Sequence, residues 1–320
     1  MHNSIYGRSP GLFFACTSIC HRFYCLNLQS KMLPFRTDET DSLLRMQIVK
    51  LSNRGVCCLV LSFLLVCVVA VPVMAREISE GSSLLAELSS SSSPLYSASL
   101  QFNALNSRIR DNRISRSAAR GELVRLLADI RNEYYRSGGI DYPASDWVFP
   151  LQGYDVRAVG GGRRHGYVPR GYDFYSGNRH GGHPSYDIFI RDHNHDSYDD
   201  RSGTAVPVLS ITGGVVVALE REWERGSRLR GGRYIWVYDP ANDLLVYYAH
   251  HSDISVTLGD IVKPGEVLGT VGRSGWNAAK KRSPTHLHLT VLHVTGGQVT
   301  PLNVYRDLVR VARGVAIAAL

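Results

Sequence analysis

The sequence predicts a mainly β protein. It reads as a compact antiparallel β-sheet or barrel-like domain, with a short helical region before it and a short helix closing the chain. Three observations carry this. From about residue 145, short apolar runs alternate with Gly, Asp and Asn turns. The segment GDIVKPGEVLGTVG at 259–272 spaces its glycines and proline at tight intervals, as sharp corners between short strands of a small barrel or sandwich require. Apolar positions in 99–137 and again in 302–318 recur at helical rather than strand spacing.

Size and composition bound the problem. The 320 residues leave room for one large or two modest domains. With 44% hydrophobic and 20% charged residues, a disordered chain and a polytopic membrane protein are both excluded. Residues 1–75 hold seven Lys/Arg against three Asp/Glu, half of the net charge of +8. The remaining chain is mildly basic, which suits an anionic wall or membrane surface. No nucleic-acid motif accompanies it, and no nucleic-acid partner is expected. All six cysteines fall within the first 67 residues. The rest of the chain therefore has no disulfide scaffold, cysteine nucleophile or Cys-ligated zinc.

Residues 1–45 precede a conventional leader that opens at Met46. They are read as an N-terminal extension created by a mis-assigned start, with Met32 as a second candidate start. Residues 46–75 form an export signal: Lys50 and Arg54 lead into the apolar run 56–73, and Val73 and Ala75 stand at −3 and −1 before Arg76. The run is also long enough to remain as a membrane anchor. Its length and flanks favour cleavage. A lipoprotein reading through Cys67 is weakened by bulky Val66. The expected location is exported, periplasmic or envelope-associated, and secreted if the signal is cleaved. Residues 76–98, with the run Ser89–Ser93, read as a Ser-rich linker.

Residues 99–144 are expected as a helical spacer without chemistry, packing through Leu105, Ile109, Leu123, Leu126 and Ile130 among others. Gly138, Gly139 and Pro143 end it. Residues 145–305 form the β domain, with strands expected near 187–190, 206–211, 214–219, 234–238, 244–249, 267–271 and 287–292. Residues 306–320 belong to the closing helix, whose pattern begins near 302.

Two histidine spacings stand out. HPSYD gives His183 and Asp187; THLHLTV gives His286 and His288. Residues two apart in a strand share a face, so His286 and His288 project together while Leu287 and Leu289 face the other way. Imidazole and carboxylate are the usual ligands of catalytic zinc, and two histidines with one aspartate leave a fourth position open for water. Zinc lowers the pKa of such a water to about 7.

Other candidates are weaker. His250 ends the apolar strand Tyr247–Tyr248–Ala249 and is read either as an edge cap or as a site residue. His251 would face the opposite side if that strand continued. His165, His180 and His293 lack a partner at metal spacing. The acidic stretch DHNHDSYDD at 192–200 reads as a solvated loop, with a calcium loop as the alternative; it lacks the EF-hand glycine and closing glutamate. VGGGRRHG at 159–166 is expected as a flexible surface loop. There is no GxSxG elbow, HExxH helix or phosphate-binding glycine loop.

Taken together, HPSYDIFI, YYAH, GDIVKPGEVLGTVGRSG and PTHLHLTV stand in the order and at the separations of the lysostaphin-type, LytM-like zinc endopeptidases, which residues 145–305 resemble. The resemblance implies a compact antiparallel β-fold with an active-site groove and one Zn²⁺ per chain, held by His183, Asp187 and His288. It makes His250 and His286 the catalytic histidines, without deciding which takes the water's proton. It implies hydrolysis of peptide bonds in peptidoglycan stems or cross-links. Two departures stand out: Ser185 occupies a position where many members have glycine, and the acidic loop follows the DIFI strand like an insertion. The rival reading is a catalytically inactive envelope activator or binding protein of the same fold, which typically lacks some of the ligands.

Overall fold

The computed structural model describes residues 93–179 and 181–318. The chain divides into two units, Met1–Ile78 and Ser79–Leu320, and every described residue lies in the second. The expected N-terminal extension, the export signal at 56–73 and the linker up to residue 92 lie outside the described residues, as does His180. Among the described residues no helix is long and apolar enough to cross a membrane.

Two helices open the described residues, α1 (Pro94–Arg110) and α2 (Arg116–Arg136). The first begins at Pro94, inside the segment expected as linker. Ser93 explains the start: its hydroxyl accepts from the Tyr96 N–H at 3.0 Å, and Pro94 follows with its φ already helical. Ser115 caps α2 in the same way through the Ala118 N–H at 3.3 Å.

Ten strands follow: β1 (Ser185–Phe189), β2 (Pro207–Leu209), β3 (Gly214–Glu220), β4 (Tyr234–Asp239), β5 (Leu244–Ala249), β6 (His251–Ile254), β7 (Ile261–Val262), β8 (Val267–Val271), β9 (His286–Thr295) and β10 (Gln298–Pro301). The chain then enters α3 (Tyr305–Ala318). The larger sheet runs β1-β9-β5-β4-β3-β7, with β10 also paired to β9; a smaller sheet runs β2-β8-β6. All pairings are antiparallel, and the sheets stay open rather than closing into a barrel.

The central strands are apolar without interruption because both faces of the large sheet are covered. Val216, Ile235, Val237, Val246 and Tyr248 face one core, shared with the small sheet and with Val304 and Leu308 at the chain's end. Val215, Val217, Trp236, Tyr238 and Leu245 face the other, where α1 and α2 lie across them. In the helical segment, Phe102, Leu105, Leu123, Leu126 and Ile130 are fully buried against the sheet. Polar ties reinforce the packing. Arg110 pairs with Glu220, Arg131 with Asp243, and Arg120 donates to the Gly296 carbonyl at 3.0 Å.

This packing generates a stability prediction. Leu126→Ala empties a fully buried position between helix and sheet. It should cost about 2–5 kcal/mol, read as a lowered midpoint in urea with an unchanged slope. A cost below about 0.5 kcal/mol would mean that the helices do not share the core in solution.

Candidate metal centre and active-site groove

The site is assembled across three neighbouring strands. Asp187 of β1 lies directly opposite His288 of β9, which on its other side lies opposite Ala249 of β5. His286 and His288 share one face of β9, and Leu287 and Leu289 turn into the opposite core, as period two requires. His183 precedes β1. It is held by a two-bond bridge to Val168: its N–H reaches the Val168 carbonyl at 2.6 Å and its carbonyl accepts from Val168 at 2.7 Å.

One carboxylate oxygen gathers the imidazoles. Asp187 Oδ1 is 3.0 Å from His288 Nδ1, 3.4 Å from His183 Nε2 and 3.7 Å from His286 Nε2. Burial disfavours a charge on Asp187, but the hydrogen bonds with His183 and His288 outweigh it and hold the carboxyl well below the usual carboxylate range. Asp187 is therefore an anion across the whole working pH range. The same bond raises the His183 pKa, against the pull of burial.

His250 stands between β5 and β6 with φ of 72°, in the left-handed region that a β-branched or bulky residue avoids. The strand therefore ends before His251, which opens β6 and is fully buried in the interior. The turn at His250 brings its ring centroid to 4.9 Å from His286 and 5.5 Å from His288. Gly275 is required beside it. Its φ is 111°, and a Cβ there would stand 2.8 Å from His250 Nδ1 and 2.5 Å from the Arg230 carbonyl oxygen.

Backbone carbonyls set the tautomers. His250 Nδ1 faces the Ser274 carbonyl at 2.7 Å, His286 Nδ1 the Pro284 carbonyl at 2.7 Å and His183 Nδ1 the Gly166 carbonyl at 3.0 Å. A carbonyl only accepts, so each Nδ1 carries the hydrogen and each Nε2 presents a lone pair. Burial, with the neighbouring histidines, pushes the His250 pKa well down; burial also lowers His286 despite the attraction of Asp187. Both rings are neutral acceptors near pH 7.

His183, Asp187 and His288 satisfy the fit for a small divalent cation. Their ligand atoms lie within 4.8 Å of one another. Zinc–ligand bonds of about 2.0–2.1 Å in a tetrahedron separate ligands by about 3.3 Å, close to the 3.4 and 3.0 Å found here. The Nε2 lone pair of neutral His183 points at an anionic oxygen, an arrangement that a proton or a cation between them must stabilise.

Some supporting groups have no recognisable sequence signal. The glycine-rich stretch at 159–166 is not a free surface loop: Gly160 N–H donates to the Asp187 carbonyl at 2.8 Å, and Gly166 orients His183. Ser185, at the position of the family's frequent glycine, forms a buried 2.6 Å hydroxyl pair with Thr290 across β1 and β9. The acidic loop spends its oxygens on hydrogen bonds within the protein. Asp192 accepts from the N–H groups of Asp196 and Ser197 and from the Thr285 hydroxyl, and His193 pairs with Asp200. Among the described residues the only metal-competent cluster is the one around Asp187. His165 stacks on Tyr305 and His293 lies exposed on β9, and neither is part of that cluster.

Comparison with known proteins adds a similarity. Residues 193–301 match the profile described as Peptidase family M23. This segment is similar to the peptidases of that family. The matched span contains His250, His286 and His288 and begins downstream of His183 and Asp187, which the fold brings back beside it. Among solved structures, the chain is similar to the catalytic domain of lysostaphin from Staphylococcus simulans, at 23% identity and a TM-score of 0.32, covering 48% of this chain and 94% of that one. It is similar to a protein described as a glycyl-glycine endopeptidase LytM from Ruminococcus gnavus, at 25% identity and 0.35, covering 61% and 72%. A zinc-containing peptidase from Vibrio cholerae matches at 19% identity and 0.32, covering 52% of this chain and 41% of that one. No curated protein matches the sequence.

The ligand geometry yields a metal-binding prediction. Asp187→Asn keeps the side chain's size and removes its charge, so zinc bound per chain should fall from about one towards zero by elemental analysis. Because Asp187 raises the His183 pKa, protons compete with metal at that ring above the free-imidazole value. Measured zinc affinity should already be falling as pH drops towards about 6.5. Full zinc retention by Asp187→Asn would remove Asp187 from the ligand set.

Proposed function

We propose that the protein is an exported zinc metalloendopeptidase that hydrolyses peptide bonds in peptidoglycan stem peptides or cross-links. The observation that carries this is the meeting of an N,N,O ligand cluster with two neutral, acceptor-presenting imidazoles in one groove of a domain similar to the M23 peptidases. The M23 family is one of peptidases, and lysostaphin, named among the structural matches, is described as an antimicrobial peptidase. The export pattern at 56–73 supports a cell-envelope setting, with mature protein released or held at the membrane.

His183 Nε2, Asp187 Oδ1 and His288 Nδ1 would hold the metal, which supplies Lewis acidity towards a peptide carbonyl and makes water easier to deprotonate. Asp187 stays ionised throughout and is unavailable as a proton donor. His250 and His286 each begin with a free Nε2. One of them accepts the proton of the attacking water, and as an imidazolium it becomes the donor for the departing amine. The Nδ1 hydrogen bonds to Ser274 and Pro284 keep both rings from turning away during that exchange. The presence of all three ligand positions and both auxiliary histidines favours an enzyme over an inactive binding protein of the same fold.

The test is digestion of purified peptidoglycan with a count of new amino termini. Wild type should release them. His286→Ala should keep about one zinc per chain and lose about 10²–10⁴-fold in rate. If metal-replete His286→Ala cut at the wild-type rate, His286 would have no part in proton transfer. Absence of both zinc and cleavage in wild type would favour the inactive envelope protein.

A further inference from the structure

The ligand cluster lines the groove. From it the pocket continues along the sheet face, past Tyr247 and Trp236, to Asn106, Ile109 and Arg110 near the C-terminal end of α1. That end is shut. The turn Phe174–Arg179 crosses it, and at Gly177 (φ 50°) a Cβ would stand 2.3 Å from the Ile109 carbonyl oxygen and 2.7 Å from that of Arg110. Backbone meets backbone at this seam, so no side chain can swing aside to open it. Asn106 Nδ2 and Arg110 Nη1 brace the wall, each donating to the Tyr234 hydroxyl at 3.1 Å. The pocket holds about 360 Å³, near the lower end of the range for small-ligand sites. That volume suits a short arm of a substrate rather than a strand running through.

The charge of the pocket is one-sided. Its only lining acid among the described residues is Asp187, already committed to the histidines. Arg110 is neutralised by Asp111 and Glu220. Arg230 lines the same pocket and is exposed. It donates to the Asn178 carbonyl at 3.3 Å, and no described carboxylate lies within ion-pair distance of it. A guanidinium with free donors beside a small, partly apolar pocket matches a carboxylate, which it can grip through two parallel bonds.

We infer that this blind pocket binds a short, carboxylate-bearing segment of the substrate, with Arg230 pairing the carboxylate and α1 acting as the end stop. The position of that segment next to the cleaved bond rests on the peptidase reading above; recognition of the carboxylate does not.

Two fluorescent stem peptides test it, identical except that one carries free carboxylates and the other the corresponding amides. Binding is read by anisotropy and cleavage separately by mass spectrometry, for wild type, Arg230→Gln and Arg230→Lys. Wild type should bind the acid peptide about tenfold more tightly than the amide. That ratio should collapse towards one in Arg230→Gln and recover in part in Arg230→Lys. Equal binding of the two peptides by wild type, binding of neither, or an unchanged ratio in Arg230→Gln would overturn the assignment. Cleavage of both peptides without preference would keep the peptidase and discard the carboxylate pocket. A carboxylate preference in binding without any cleavage would do the reverse.

Discussion

The pairing of β1 with β9 is the constraint on which the site depends. It sets Asp187 opposite His288, Phe189 opposite His286 and Ser185 opposite Thr290. A slip of one residue would turn the carboxylate and the imidazoles to opposite faces and abolish the cluster. What holds the register lies behind the sheet. Tyr186, Ile188, Leu287 and Leu289 alternate with the site residues and are buried at 0–1% exposure in the opposite core. Burying each apolar side chain contributes about 1.5–3 kcal/mol, and a slipped register would forfeit several at once. The buried ionic cluster, costly by itself in desolvation, is thus imposed by packing that has no chemical role.

Strands set the positions of Asp187, His286 and His288, turns beside the strands place His183 and His250, and loop carbonyls set the tautomers. Gly166 lies in the connection before β1, and Ser274 and Pro284 lie in the connection between β8 and β9; each carbonyl receives the Nδ1 hydrogen of one ring. These loops are themselves tied down. The acidic loop reaches Thr285, the residue before His286, through Asp192, and Arg273 donates to the Thr285 hydroxyl at 3.0 Å and to the Ser283 carbonyl at 2.7 Å. Ser274 in turn donates its hydroxyl to the His251 carbonyl at 2.8 Å and accepts from the Arg233 N–H at 2.9 Å. The left-handed backbone at His250 is held by this lattice, which is how a non-glycine residue can occupy that region at a working site.

This division explains what could be read from the residues. His183, Asp187, His286 and His288 were legible because strand period and short spacing are local properties, and the strands of the β domain were legible as apolar runs between turns. The carbonyl acceptors were not, since a main-chain oxygen has no sequence signature; the glycine-rich stretch at 159–166 therefore looks like free loop although it supports two site residues. The role of the helices was also hidden. A helical period shows that α1 and α2 bury a face, but their partners Glu220 and Asp243 lie more than a hundred residues away. Arg230 carries no pattern at all and stands out only when its neighbours in space lack a carboxylate.

The helices and the chemistry share one face of one sheet, and the boundary between them can be followed along β9. His286, His288 and Thr290 line the groove; Leu292 and Val294, on the same face, lie under the helices. On β5 the same change occurs between Tyr247, in the groove, and Leu245, beneath the helical pair. The groove ends where the helices begin, so the packing that stabilises the sheet also limits the length of what can bind beside the ligands. Substitutions at the end of α1 can therefore alter which substrate fits while leaving Asp187 and its histidines untouched. Substitutions deeper in the helical pair act first on stability. The separation follows from geometry: α1 touches the groove only through its last turns, and the rest of its buried face meets strands that carry no reacting group.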